Sequence, residues 1–487
     1  MNISKYLLSA IIATGICSSS AAMSPQAAAD AFAADSSLRH ASVGICIMNI
    51  DSATVIADHA ADQSDITAST MKTVTSATAL ETIGKDFTFS TRVYAVGEID
   101  KRGTLNGDIL IKGGGDPTLG SKYFASQPSF ADTIAAVVKK AGINKIKGRV
   151  LVDGSAIPFP PISQVWMNED LAYDYGAGCF GLCFADNVMN VSFDRSGEEV
   201  SDIRITPAFP QLHVNSHVKL FNDGEELPTD ELTALMDYET PAITLWGAAH
   251  RRDNRYSYTY ANPAPHLMLQ DSVLRTLRYA DIKVKDSKNK GNEHADTLPL
   301  LDYRSPKLSE IIASLLYRSD NMFTEMVLRA VAANAGKAAT AENGIDAVYK
   351  LWRNKGLDTS GLFMKDGCGL ARNGKSSARF LCEMLAQTYR DRDSIGIDYS
   401  TLFPIAGVNG TVKSLLAGTE LQGSVALKSG SMGEVQCFAG YYPAQNPKYA
   451  VAILVNSFNG PRRELRKNIE KFFLNAFSEV CHIEIDK

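Results

Sequence analysis

Ser69 and Lys72, set three residues apart in Ser69-Thr70-Met71-Lys72, are the pair in this chain best placed to make a nucleophile. At the head of a helix, that spacing raises both side chains on one side, about one turn apart. The lysine amine can then take the serine proton, which a hydroxyl must lose before it attacks a carbonyl. At its reference pKa of about 10.4 the lysine would be protonated and inert. Partial burial and a second nearby cation depress that value, and Lys428 is the candidate neighbour. Two further clusters follow along the chain, Ser319-Asp320-Asn321 and Lys428-Ser429-Gly430. In the first, Ser319 is expected to relay the proton to a leaving amine, and Asn321 to hold Lys72 and a substrate amide. In the second, the Lys428 ammonium and Ser429 hydroxyl suit a substrate carboxylate, while Gly430 lets backbone approach closely. The backbone N–H groups of Ser69 and Ser431 are the expected oxyanion donors. Each cluster alone reads more readily as a helix cap or a turn; it is their joint occurrence, in this order, that points to chemistry.

The elements around these residues can be read in turn. Thr73 to Ile83 has helical periodicity, with Val74, Ala77, Leu80 and Ile83 on one face. Ser42 to Asn49 reads as a strand returning through Thr54-Val55-Ile56. Near the other end, Val435 to Tyr442 and Tyr449 to Ser457 read as strands, and Arg462 to Val480 as a closing helix behind Pro461. One sheet built from both ends of the chain is therefore expected. Between Phe89 and His294 short strand-like runs alternate with turns: Arg92 to Val96, Ile109 to Ile111, Arg149 to Val152, Val191 to Phe193, Ile203 to Ile205. The helix-like Phe130 to Ala141 lies among them. That region is too long for a loop and reads as one or two inserted domains, with Asp286 to Asn292 as a return linker.

At 487 residues, 45% hydrophobic and 21% charged, the chain suits a folded protein of two or three domains. The net charge of −5, well mixed, argues against nucleic acid as a partner. Lys5, the apolar run Tyr6 to Ile16 and Ser20-Ala21-Ala22 read as a secretory signal, so the mature protein is expected to be exported and periplasmic, soluble or at most peripheral to a membrane. Ile16 before Cys17 is bulky where a lipid-anchor site wants a small residue. Beyond Cys17, seven cysteines remain, an odd number that defines no disulfide framework. Cys179 and Cys183 read as small buried residues rather than a bridge. His213 and His217 lack the glutamate of a zinc helix, and no metal or cofactor is expected.

Longer strings carry a family resemblance. The Ser-x-x-Lys, Ser-Asp-Asn and Lys-Ser-Gly set is that of penicillin-binding proteins and β-lactamases. The stretch from Gly107 to Leu119, Gly-Asp-Ile-Leu-Ile-Lys-Gly-Gly-Gly-Asp-Pro-Thr-Leu, resembles a string of the D-alanyl-D-alanine carboxypeptidase/endopeptidase family, the class C low-molecular-mass penicillin-binding proteins (peptidase family S13). Asp366 to Asn373 and Phe403 to Thr411 are similar to two more of that family's strings. The resemblance implies an α/β (α+β) serine β-lactamase/transpeptidase-like domain, discontinuous, with two smaller β-rich domains inserted between the first and second motifs. The corresponding boundaries are residues 1–22 for the signal, 23–90 and 291–487 for the transpeptidase-like domain, and 91–290 for the insert. It implies action on peptidoglycan stem peptides and cross-links through an acyl-enzyme on Ser69, with β-lactam antibiotics as covalent inhibitors. It also implies that an inserted aspartate contacts the free amine of the diamino acid, for which Asp170 is the candidate. Two departures stand out: Ser429 replaces the usual threonine, and Cys368 replaces a serine. A β-lactamase or esterase on the same fold and a catalytically silent wall-binding scaffold are the competing readings. Carboxypeptidase against endopeptidase preference and oligomeric state stay open.

Overall fold

The computed structural model describes residues 23–222, 230–285 and 296–483. The signal-like segment and the expected linker at 286–292 lie outside them, as does the question of lipid on Cys17.

A five-stranded antiparallel sheet forms the centre, in the order Ala426–Met432, Val435–Tyr442, Tyr449–Asn456, Ser42–Asn49, Val55–His59. Both chain ends thus build one sheet. Its middle strands are β-branched and almost wholly apolar because both faces are covered. Ile45 and Ile47 point to one face, against Phe472, Phe473 and Phe477 of the closing helix Arg462–Ile483 and Phe32 of Pro25–Ala33. Burying each such phenylalanine contributes about 1.5–3 kcal/mol. Cys46 and Met48, one residue out of phase, point to the other face. There they meet the helices Met71–Ile83, Leu308–Arg318, Asn321–Asn334 and Ala378–Arg390. The helix Met71–Ile83 lies deep in this layer, buried at every position from Met71 to Leu80 rather than along one apolar face.

Residues 90 to 304 form three other sheets. Ser90–Ile99, Thr104–Lys112 and Thr297–Arg304 are the long members of a six-stranded sheet on which helices Phe130–Lys140 and Pro265–Tyr279 pack through Ile134, Val138, Leu269 and Val273. Two three-stranded sheets follow: Val188–Asp194, Ser201–Thr206 and Tyr256–Ala261 make one, and His213–Phe221, Glu231–Asp237 and Ala242–His250 the other. Five of these strands, Thr297–Arg304, His213–Phe221, Glu231–Asp237, Ala242–His250 and Tyr256–Ala261, and the helix Pro265–Tyr279 go beyond what the sequence pattern suggested. His213 and His217 sit on one exposed strand, and His217 stacks on Trp246 with ring centroids 4.3 Å apart. Four residues along a strand is about 13 Å, too far for one metal ion.

Candidate active site

The nucleophile candidate sits on a tight turn, Ala68–Thr70, just before the helix Met71–Ile83. Thr70 donates through its N–H and its hydroxyl to Thr67 O, at 3.2 and 2.8 Å. Ala68 holds φ 44°, a left-handed conformation costly for a residue with a side chain. Gly369 backs this turn from behind: a Cβ there would lie 1.9 Å from Ala68 O. From the open edge of the sheet, Gly430 abuts the turn. A Cβ on it would fall 2.4 Å from Thr67 O and 3.0 Å from Ser69 N, so only glycine lets the edge strand reach the nucleophile.

Lys72 is fully buried. Its Nζ donates to Ser69 Oγ at 2.9 Å, Asn321 Oδ1 at 2.6 Å and Cys368 O at 2.7 Å. Burial holds its pKa below the ordinary lysine value, and the nearby Asp366, Asp320 and Glu325 pull partly back. The depression expected from Lys428 is not among the causes at Lys72, where desolvation is the one that lowers. The repulsion between the two cations falls on Lys428, which burial and then the Lys72 charge push well below the lysine range.

Ser319 occupies the turn between the helices Leu308–Arg318 and Asn321–Asn334, at φ 64°. Asp320, not Ser319, is the helix cap, its Oδ1 accepting from Phe323 N at 2.9 Å. Its neighbour Arg318 lies 3.5 Å above the Tyr123 ring of the inserted region. Asn321 reaches Lys72, and its Nδ2 donates to Tyr175 O at 2.8 Å, which ties it to the inserted region. Lys428 is buried too. Its Nζ donates to Ser319 Oγ at 3.0 Å and Ser429 O at 2.6 Å. The half-buried Ser429 hydroxyl, 2.7 Å from Thr411 Oγ1, is the more accessible group there.

Ser69, Ser319, Asn321, Ser431, Asp170 and Arg372 are among the residues lining one cleft of about 570 Å³, whereas Lys72, Lys428 and Ser429 lie outside its lining. Asp170, largely buried, accepts from the Tyr175 hydroxyl at 3.1 Å, and Arg372 pairs with Glu169. The Cys368 thiol does not enter the cleft. It is buried 3.5 Å from Asp366 Oδ2, while its carbonyl is the atom that meets Lys72. Cys179 and Cys183 are buried and unbridged, as are Cys46, Cys368, Cys382 and Cys437.

Sequence reasoning missed the groups behind Lys72. Glu325 accepts from Gly367 N at 2.6 Å and Cys368 N at 2.9 Å, and pairs with Arg329 at 2.9 Å. Asp366 accepts from Gly369 N, Ala371 N and Trp166 Nε1 at 2.7–2.8 Å. Glu325, Asp366 and Cys368 cluster closely enough to suggest a metal site, yet their carboxylate oxygens already take these N–H donors. The Glu325–Arg329 spacing of four along a helix was a readable signal for the pair, but not for the loop it holds.

Comparison with known proteins agrees in fold and family. Residues 25–475 match the D-Ala-D-Ala carboxypeptidase 3 (S13) family. The D-alanyl-D-alanine carboxypeptidase of Actinomadura sp. (strain R39) is 26% identical over 453 residues, covering 89% of this chain and 81% of that protein. The crystal structure of penicillin binding protein 4 from Haemophilus influenzae superposes with a TM-score of 0.78 at 24% identity, covering 93% of this chain and 99% of that one. A second structure of that protein, complexed with a β-lactam, gives a TM-score of 0.74 at 23% identity, with the same coverage. With a match over nearly the whole described length, this chain belongs to the D-Ala-D-Ala carboxypeptidase 3 (S13) family of serine hydrolases.

Proposed function

We propose that the cleft cleaves D-Ala-D-Ala termini of peptidoglycan stem peptides, and D-Ala to diamino-acid cross-links, through an acyl-enzyme on Ser69. The observation that carries this reading is the 2.9 Å contact between Ser69 Oγ and a buried Lys72 amine. In the neutral amine, the lone pair takes the serine proton as Oγ attacks the peptide carbonyl, and the N–H groups of Ser69 and Ser431 hold the developing oxyanion. Ser319, between Lys428 and the cleft, gives its hydroxyl proton to the leaving amine and regains the one that Lys72 took from Ser69, which leaves Lys72 neutral again. The substrate carboxylate is bound by the Ser429 and Thr411 hydroxyls, with the Lys428 charge behind them. Water then breaks the acyl ester. Asp170, at the far wall of the same cleft, accepts the free amine of the diamino acid.

The same reading makes β-lactams covalent inhibitors, as the β-lactam-complexed relative suggests. It also takes residues 23–90 and 291–487 as the transpeptidase-like unit and 91–290 as the insert that walls the cleft, although the strand Thr297–Arg304 pairs with Ser90–Ile99 and so joins the insert's six-stranded sheet. Export to the periplasm rests on the N-terminal signal pattern and on the location of the polymer substrate. Among the described residues no helix is long and apolar enough to cross a membrane.

Release of D-alanine from a stem pentapeptide, and of monomers from a cross-linked dimer, tests the proposal in wild type and Ser69→Ala. Release by the wild type alone is expected. No release by either protein, with the wild type folded, would overturn it.

A further inference from the structure

A lysine that acts as a base must do more than lose a proton: its lone pair has to face the nucleophile. The neutral amine has two N–H bonds and one lone pair. Lys72 Nζ has three neighbours, Ser69 Oγ, Asn321 Oδ1 and Cys368 O. If Asn321 Oδ1 and Cys368 O each accept one N–H, the lone pair is left aimed at Ser69 Oγ. Both acceptors must be held in place for this to work. Asn321 is fixed by its own helix and by Tyr175 O. Cys368 O belongs to a loop, and a loop carbonyl needs an anchor.

Glu325 supplies that anchor. It is fully buried on the helix that starts at Asn321, and its Oε1 accepts from Gly367 N and Cys368 N together, at 2.6 and 2.9 Å. Its Oε2 pairs with the largely buried Arg329 at 2.9 Å, which balances the carboxylate's charge. Thr75 Oγ1, from the helix carrying Lys72, donates to Gly367 O at 2.7 Å and closes the frame. The Lys72 helix, the Asn321 helix and the loop are thereby locked around one amine.

We infer that Glu325, balanced by Arg329, is a positioning residue that aims the Lys72 lone pair at Ser69 by fixing the Cys368 carbonyl. The inference rests on the acyl-enzyme reading of the cleft but adds a residue to it. Glu325 touches no substrate; it acts through the loop.

The test measures the acylation rate by a fluorescent penicillin per labelled site, with the labelled fraction and melting temperature recorded separately. Replacing the pair together, Glu325→Leu with Arg329→Leu, removes the acceptor without stranding a buried charge. The rate per labelled site should fall about tenfold to a hundredfold, as for a misplacement of the base by about 1 Å. Glu325→Gln with Arg329→Gln keeps an amide oxygen for the two N–H groups, and should restore the rate to within about threefold of wild type. If the leucine pair does not fold, Glu325→Asp keeps the charge and withdraws the acceptor by one methylene, and should slow acylation about tenfold. Equal rates per labelled site in wild type and in the folded acceptor-deficient variant would overturn the inference. So would a glutamine pair as slow as the leucine pair. Failure of the wild type itself to be labelled would instead count against the acyl-enzyme reading.

Discussion

The central sheet and the outermost three-stranded sheet of this chain are built on opposite terms. Val435–Tyr442 is buried at all eight positions, and Tyr449–Asn456 at seven of eight. In His213–Phe221 exposed and half-buried positions alternate, and none of the nine is buried. A strand covered on both faces cannot shift without dragging its neighbours, so it can hold Gly430 against the Ser69 turn to a fraction of an ångström. A strand open on one face tolerates change and fixes little beyond itself. The chemistry-bearing residues accordingly hang from the first region. The inserted region is pinned at the cleft by Asn321 to Tyr175 O, Arg318 over Tyr123, Trp166 to Asp366 and Arg372 to Glu169.

Substitutions should widen this contrast in a graded way. The largest effect is expected at the base: Lys72→Met should slow penicillin acylation about 10²- to 10⁴-fold, the usual worth of a positioned base, as read by stopped-time gel labelling. Next, Phe438→Ala in the buried sheet should cost about 3–5 kcal/mol in urea unfolding, because a fully packed ring leaves a cavity. The buried cation behind Ser319 should behave in the opposite sense. Lys428→Met should cut acylation yet raise stability at neutral pH by about 0.5–2 kcal/mol, as when a costly functional group is removed. The pH dependence follows from burial, which lowers the folded pKa of Lys428 well below its unfolded value. Between those two values the unfolded chain holds the proton and the folded one does not, so wild-type stability rises with pH through that window. The advantage of Lys428→Met should therefore shrink as pH climbs toward the ordinary lysine pKa; a gap that stays constant would contradict the buried-charge account. Smallest of all, Leu235→Ser on the outer sheet, at a side chain 56% exposed, should change stability by no more than about 0.5 kcal/mol.

The same contrast explains what could be read from the sequence. Ser42–Asn49 and Val435–Tyr442 were legible because burial on both faces demands runs dominated by apolar, β-branched and aromatic residues. The strand Glu231–Asp237 was not, since a half-exposed strand mixes Glu, Thr and Asp with Leu and Met. The three motifs were legible because residue type and order carry their chemistry. The burial of Lys428 was not, since nothing local says that a lysine will find its acceptors in Ser319 Oγ and its neighbour's carbonyl. Glu325 was hidden for a related reason: the N–H groups it holds lie 42 and 43 residues further along the chain. Cys368 misled in a different way, because the side chain drew attention while the carbonyl does the work.

The account turns on Ser69 as the acylated atom. Intact-mass measurement after incubation with penicillin, followed by peptide mapping, tests it most directly. The expected result is one antibiotic added per chain, mapped to the peptide bearing Ser69 and absent from Ser69→Ala. An adduct on another residue, or one that persists in Ser69→Ala, would contradict it.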